Sequence, residues 1–166
     1  MGIFVITLLV LLSFQFRSEI LLDTEEGSIA KIQVKDFIMY QIGQETTDTV
    51  IQGDQATQYK DYEVFENASL SRSLEKAVFE KVSAPEVYRK QDLYNFSHGV
   101  HYERSDGFKF FSEKGLLDTK NEVFRGSGKF QLESEQGEVL GQDILYNNQT
   151  QDIQAKKIQG YYLMKG

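Results

Sequence analysis

The chain lacks most of the residues that commonly carry chemistry. Its 166 residues include no cysteine, one proline and two histidines. Without cysteine there can be no disulfide framework, no thiolate nucleophile and no cysteine-ligated zinc site. A single proline beside thirteen glycines suits long strands with kinks better than a loop-rich scaffold.

The charge balance and the missing motifs exclude several functions. A net charge of −7 disfavours nucleic acid as a partner, because that affinity depends on Lys and Arg neutralising phosphates. His98 and His101 lie three residues apart, which in a strand sends them to opposite faces and argues against a shared metal. No nucleophile-base motif is present, so we expect neither a catalytic residue nor a cofactor.

The first residues differ from the rest of the chain. Residues 3–16 are apolar except for Thr7, Ser13 and Gln15. As a helix they would span about 21 Å, which is less than the roughly 30 Å of a bilayer core. No small-residue cleavage site follows, so we predict a transmembrane signal-anchor over residues 1–18, with residues 19–166 as the second domain. A cleaved signal peptide and a buried core segment are the alternatives.

The remaining chain alternates with a period of two. In residues 32–42 the even positions are mostly apolar, and residues 49–59 and 93–103 also resemble strands. The clearest strand places Phe124, Phe130 and Leu132 on one face and Arg125 and Lys129 on the other. This alternation predicts half-buried antiparallel strands and a mainly β domain.

Residues 72–86 fit the pattern less well. Leu74, Val78 and Val82 have helical spacing and Pro85 follows them, so a short helix and a twisted strand both fit. Because the neighbouring segments read as strands, we predict a strand.

The C-terminal half resembles a known family. The segments GVHYERSDGFKFFSEKGLLD and FRGSGKFQLESEQGEVLGQDILYNNQTQDIQAKKIQGYY resemble the lipopolysaccharide-export proteins of the LptC, LptA and OstA family. The family pattern is a strand, a glycine turn and a strand that ends in Tyr-Asn, followed by Ile-x-Ala. The matching residues are Gly141, Leu145, Tyr146, Asn147, Ile153 and Ala155.

The resemblance implies a fold and a function. The implied fold is an open antiparallel β-jellyroll, a V-shaped trough, behind an N-terminal transmembrane helix. The implied protein sits in the inner membrane with its C-terminal domain in the periplasm. It would receive lipopolysaccharide from the membrane subunits of an ABC transporter and pass it to an LptA-like protein. An anchored β-domain that binds an envelope protein or glycan without carrying lipid is the alternative, and an enzyme acting on envelope lipid lacks a visible catalytic group.

Alternation lets a trough be lined by every second side chain, so apolar residues of one face are candidates for contact with lipid A acyl chains. Packing in a closed core is the other reading of the same residues. The predicted lining residues are Ile38, Tyr40, Phe110, Phe124, Phe130, Leu132, Ile144, Tyr146 and Ile153.

The C-terminal segment has little protection against edge pairing. Residues 153–163 contain no proline, and only two lysines interrupt them. We therefore predict that this strand adds to a partner by β-augmentation, with a strand tucked back on its own domain as the alternative. The predicted partner edge comprises Ile153, Ala155, Lys156, Lys157, Ile158 and Tyr161.

Overall fold

The computed structural model describes residues 30–41, 49–73 and 78–163. Their secondary structure is ten β-strands. The strands are β1 (Ile32–Gln41), β2 (Thr49–Gln58), β3 (Glu63–Ser73), β4 (Phe79–Lys90), β5 (Leu93–Phe96), β6 (Val100–Arg104), β7 (Lys109–Asp118), β8 (Val123–Ser134), β9 (Gly137–Asn147) and β10 (Asp152–Tyr162).

The strands form one antiparallel sheet in chain order. β5 and β6 lie end to end between β4 and β7, and every other strand pairs with its neighbours in sequence. The prediction of a mainly β, antiparallel domain is confirmed, and the arrangement is consistent with a β-jellyroll-like fold. The strand expected within residues 72–86 is confirmed from Phe79 onward. The single strand expected over residues 93–103 is instead two strands, separated by a turn at residues 97–99.

The register aligns two neighbouring rows of residues across the sheet, one on each face. We call the face with the more apolar row the inner face. Its row is Met39, Ile51, Leu70, Val82, Tyr102, Phe110, Leu132, Val139 and Gly160. The outer face carries a mostly polar row: Tyr40, Val50, Ser71, Lys81, Glu103, Lys109, Glu133, Glu138 and Tyr161. Opposite polarity of adjacent rows is the pattern of a sheet that buries one face.

Irregularities in successive strands fall at one level of the sheet, which we call the crease. Four crease residues that are not glycine have a positive φ, between 46° and 52°. Pairing at this level is interrupted or shifts register in each of the long strands. Such irregularities bend a strand and increase its twist, so an aligned series bends the sheet. The crease residues are Asp36, Asp54, Asn67, Pro85, Glu113, Gly128, Asp143 and Lys157.

Glycines beside the crease make room for neighbouring side chains. A Cβ on Gly141 would lie 2.5 Å from the ring of Phe130, and one on Gly115 would lie 2.7 Å from the ring of Phe124. A Cβ on Gly126 would lie 2.6 Å from Ile144. These glycines are required by close approach on the inner face, where rings cover the positions that lack a side chain.

The predicted signal-anchor, residues 1–18, lies outside the described residues. Within residues 30–41, 49–73 and 78–163, no helix is long and apolar enough to cross a membrane.

Candidate functional site

The inner face is the most distinctive surface of the sheet. Its central strands hold a cluster of Ala84, Tyr94, Phe96 and Val100, against which Phe124 and other half-buried apolar side chains pack. A flat single sheet leaves both faces open to solvent, so burial of these side chains requires that the inner face bend over on itself. The crease supplies that bend.

Seven of the nine predicted lining residues lie on the inner face. Phe130 and Ile144 are buried, with only 3% and 6% of their surface exposed. Phe110, Phe124, Leu132 and Tyr146 are half-buried, and Ile153 on β10 is 62% exposed. The Phe110 ring packs edge-on against Phe124, with centroids 5.6 Å apart. The centre of this surface is therefore filled, and the surface opens toward β10.

The orientation predicted for Ile38 and Tyr40 is wrong. Both lie on the outer face, 57% and 71% exposed, while Phe37 between Asp36 and Ile38 is buried. Asp36 adopts a positive φ of 48° and is left out of the ladder with β2, although the register is the same before and after it. Because side chains alternate with a period of two only in extended backbone, a residue in the left-handed region exchanges the faces of everything that follows.

Apolar side chains on the inner face of both edge strands are exposed to solvent. On β1, Ile32, Val34 and Met39 are exposed, and on β10 Ile158 and Tyr162 are exposed. The apolar surface therefore continues from the packed centre to both edges. Large exposed apolar surface next to unpaired backbone is typical of an interaction site.

The predicted partner edge is β10, one of the two outermost strands of the described sheet. β10 pairs only with β9, so its second side carries no strand of the described residues. Ile153 and Ile158 point to the inner face, whereas Lys156 and Tyr161 point to the outer face. Ala155 lies at a register shift, and Lys157 has a positive φ of 50°. Lys156 reaches Asp143 of β9 at 3.3 Å, so one of the two lysines serves the domain itself.

Two buried ion pairs lie at opposite ends of the inner face. Arg72 binds Glu80, which also accepts a hydrogen bond of 2.8 Å from the Tyr102 hydroxyl. At the other end, Arg89 donates to Glu63 at 2.9 Å. Burial and hydrogen bonding to Glu80 raise the pKa of Tyr102 to about 12. Periodicity alone did not reveal these pairs; the weak signal was a charged residue at an inward position of a strand.

In both ion pairs, burial works against the charged form of one partner. Burial raises the pKa of the Glu63 carboxyl, although the Arg89 guanidinium acts in the opposite direction. Burial likewise lowers the pKa of Arg72, against the attraction of Glu80. In both cases desolvation outweighs the attraction to the partner. The ion pairs therefore mark polar places in an apolar surface and are weak evidence for stability.

The described residues hold no obvious catalytic or metal centre. No group of three or more His, Cys, Asp or Glu side chains is placed to hold a metal ion in this part of the chain. His101 is exposed on the outer face and packs against Phe111, with ring centroids 4.6 Å apart. His98 lies in the turn before β6, where its Nδ1 is 2.9 Å from the Ser97 hydroxyl.

Comparison with known proteins does not assign the site. No protein-family model matches the chain, and no curated protein is significantly similar to it. The inner face, the crease and the two open edges are therefore the features on which a function must be argued.

Proposed function

We propose that the domain carries the acyl chains of lipopolysaccharide along its inner face, as part of an export bridge of the LptC type. The supporting observation is that one nearly continuous apolar row crosses nine of the ten strands, and that apolar inner-face side chains are exposed on both edge strands. Acyl chains need a continuous apolar surface, and a domain that only had to fold would cover its edges.

The proposal includes a finer fold and a location. The sheet bends along the crease into a V-shaped, open jellyroll, and the apolar residues 3–16 anchor it in the inner membrane with the sheet in the periplasm. The ABC transporter's membrane subunits would deliver lipid to one edge. An LptA-like jellyroll would accept it at the other. The family resemblance and the open edges of β1 and β10 support this order.

Photo-crosslinking tests the lipid surface. A photoreactive residue at Ile158 should capture lipopolysaccharide in a Gram-negative host, because this position is inward and exposed. The matched control is Gln159, its neighbour on the outer face, which should capture little. Equal capture at both positions would show that the inner face does not select acyl chains.

Proline substitutions test the docking edge. The Leu163 N–H donates to the Gln136 carbonyl at 3.1 Å, so residues 161 and 163 face β9 and the Tyr162 N–H faces the free edge. Tyr162→Pro should weaken binding of the LptA-like partner and leave the unfolding midpoint nearly unchanged. Tyr161→Pro, the control, should lower the unfolding midpoint because it removes a donor that faces β9. Unchanged partner affinity for Tyr162→Pro would place the docking edge elsewhere.

A second function has one observation in its favour. The burial of Phe130 and Ile144 means that the middle of the inner face is already packed, as in a binding module that carries no lipid. Such a module would bind an envelope protein or glycan through its edges. Mass spectrometry of lipid that leaves the membrane with the protein separates the two functions, because only a carrier retains lipopolysaccharide.

A further inference from the structure

A single tyrosine hydroxyl stands out within the inner face. Tyr94 is 4% exposed and belongs to the central buried cluster. Its hydroxyl oxygen is fully buried and has no hydrogen-bond partner among the described residues. Two other inner-face tyrosines are satisfied: Tyr102 donates to Glu80 at 2.8 Å and Tyr146 donates to Asn148 at 2.9 Å. Burying a hydroxyl without a partner costs folding free energy, so Tyr94 calls for a specific explanation.

The Arg89 guanidinium is the donor group that packs against the Tyr94 ring. Arg89 lies directly across from Tyr94 in the register, and its guanidinium carbon is 5.7 Å from the centre of the ring. A guanidinium has five N–H donors, and the hydrogen bond to Glu63 at 2.9 Å uses one of them. A phenol and a guanidinium together suit an oxyanion such as a phosphate or a carboxylate.

Glu63 is the group that an incoming anion would displace. Its side chain is 23% exposed, compared with 10% for Arg89, so it lies on the more accessible side of the pair. Burial raises the pKa of the Glu63 carboxyl, which shows that the anionic form of this side chain is poorly solvated where it lies. The cost of moving that carboxylate outward is therefore offset by recovered hydration.

An apolar path begins at the same place. Leu117 faces Tyr94 across the β5–β7 pair, and the same row continues through Phe124 and Tyr146 to Ile153 on the open edge. A ligand with its charged group at Tyr94 could place an alkyl chain along this row. The polar cluster and the apolar row together fit an amphiphile better than a free ion.

We infer that Tyr94 and Arg89 form the binding site for the anionic headgroup of a single amphiphile, such as a phosphate monoester, whose chain lies along the row from Leu117 to Ile153. The inference rests on the proposed lipid-carrying function and adds to it the position and charge of the headgroup. When no ligand is bound, the Glu63 carboxylate accepts a hydrogen bond from the Arg89 guanidinium.

Calorimetric titration of the full chain, held in solution by amphipol, tests the site with three probes. The probes are dodecyl phosphate, dodecyl maltoside and inorganic phosphate, each below its micelle concentration where one applies. Tyr94→Phe should bind dodecyl phosphate about tenfold or more weakly than wild type, because a hydrogen bond to a charged group is lost. Its affinity for dodecyl maltoside should not change, and its thermal midpoint should be equal or higher. The control is Tyr146→Phe, whose hydroxyl already has a protein partner; its phosphate selectivity should match wild type.

Three results would overturn the inference, and they differ from failure of the proposed function. Unchanged dodecyl phosphate affinity in Tyr94→Phe would show that the hydroxyl serves no ligand. Equal weakening for both alkyl probes would show a packing defect. Inorganic phosphate binding as tightly as dodecyl phosphate would indicate a free-anion site. Absence of binding of either alkyl probe to wild type would instead remove the lipid-carrying function on which the inference rests.

Discussion

Replacing Phe130 with alanine measures how closed the inner face is. Phe130 is 3% exposed, its ring covers Gly141, and its centroid lies 6.5 Å from that of Phe110. Removing a fully packed phenylalanine costs about 3–5 kcal/mol, the sum of lost transfer free energy and the cavity that remains. Because neighbouring Gly141 has no side chain to fill the space, we expect Phe130→Ala to lie in the upper part of that range.

Urea denaturation of the full chain gives the loss directly as a change in the free energy of unfolding. The control is Phe79→Ala, since Phe79 is 58% exposed and its loss should fall within about 0.5 kcal/mol of zero. A loss for Phe130→Ala of about 1 kcal/mol or less would refute the reasoning. It would mean that the ring lines an open groove in solution and that the packed centre is not the stable state.

Two further predictions test the crease and the turns. Gly141→Ala should destabilise the fold by about 1–3 kcal/mol, because its Cβ would lie 2.5 Å from the Phe130 ring. In a protein that already carries Phe130→Ala, the same substitution should cost much less. Equal costs with and without Phe130→Ala would contradict this contact. Hydrogen bonds from the Asn121 side chain and backbone lower the pKa of Asp118 below its ordinary value of 3.8. The carboxylate therefore stabilises the fold at pH values above 3.8, and this stabilisation is lost as the pH falls through the lower pKa of the folded state. Asp118→Asn should therefore flatten the acid limb of a plot of urea midpoint against pH, and an unchanged acid limb would show that the turn contributes nothing.

The face of each strand could be predicted where an irregularity did not exchange the two faces. In β8, Phe124, Phe130 and Leu132 share the inner face as the sequence pattern indicates, although Gly128 between them has a positive φ of 83°. In β1 the same reasoning failed at Asp36, because a residue in the left-handed region exchanges the two faces. Asp and Asn tolerate that region more readily than most residues, but their presence in a strand does not by itself announce a bulge.

The role of the glycines was predicted only in part. Kinked strands were expected from the glycine content. The structure places Gly115, Gly126 and Gly141 under neighbouring side chains, while four of the positive-φ positions at the crease are Asp36, Asn67, Asp143 and Lys157. Which side chain lies over a glycine depends on the register between neighbouring strands, and a local sequence pattern does not specify that register.

The sequence by itself determined the class of the domain and the character of its C-terminal strand. Period-two alternation selects antiparallel strands with one apolar face, and residues 153–163 lack the proline and dense charge that protect an edge. Tertiary structure decided which side chains meet: it aligned the strand irregularities into a crease, buried Phe130 and Ile144 at the centre, and set Arg89 over the ring of Tyr94. These contacts depend on the register of every strand pair in the sheet, and a single irregular residue can exchange the faces of a strand. A short stretch of sequence does not specify the register.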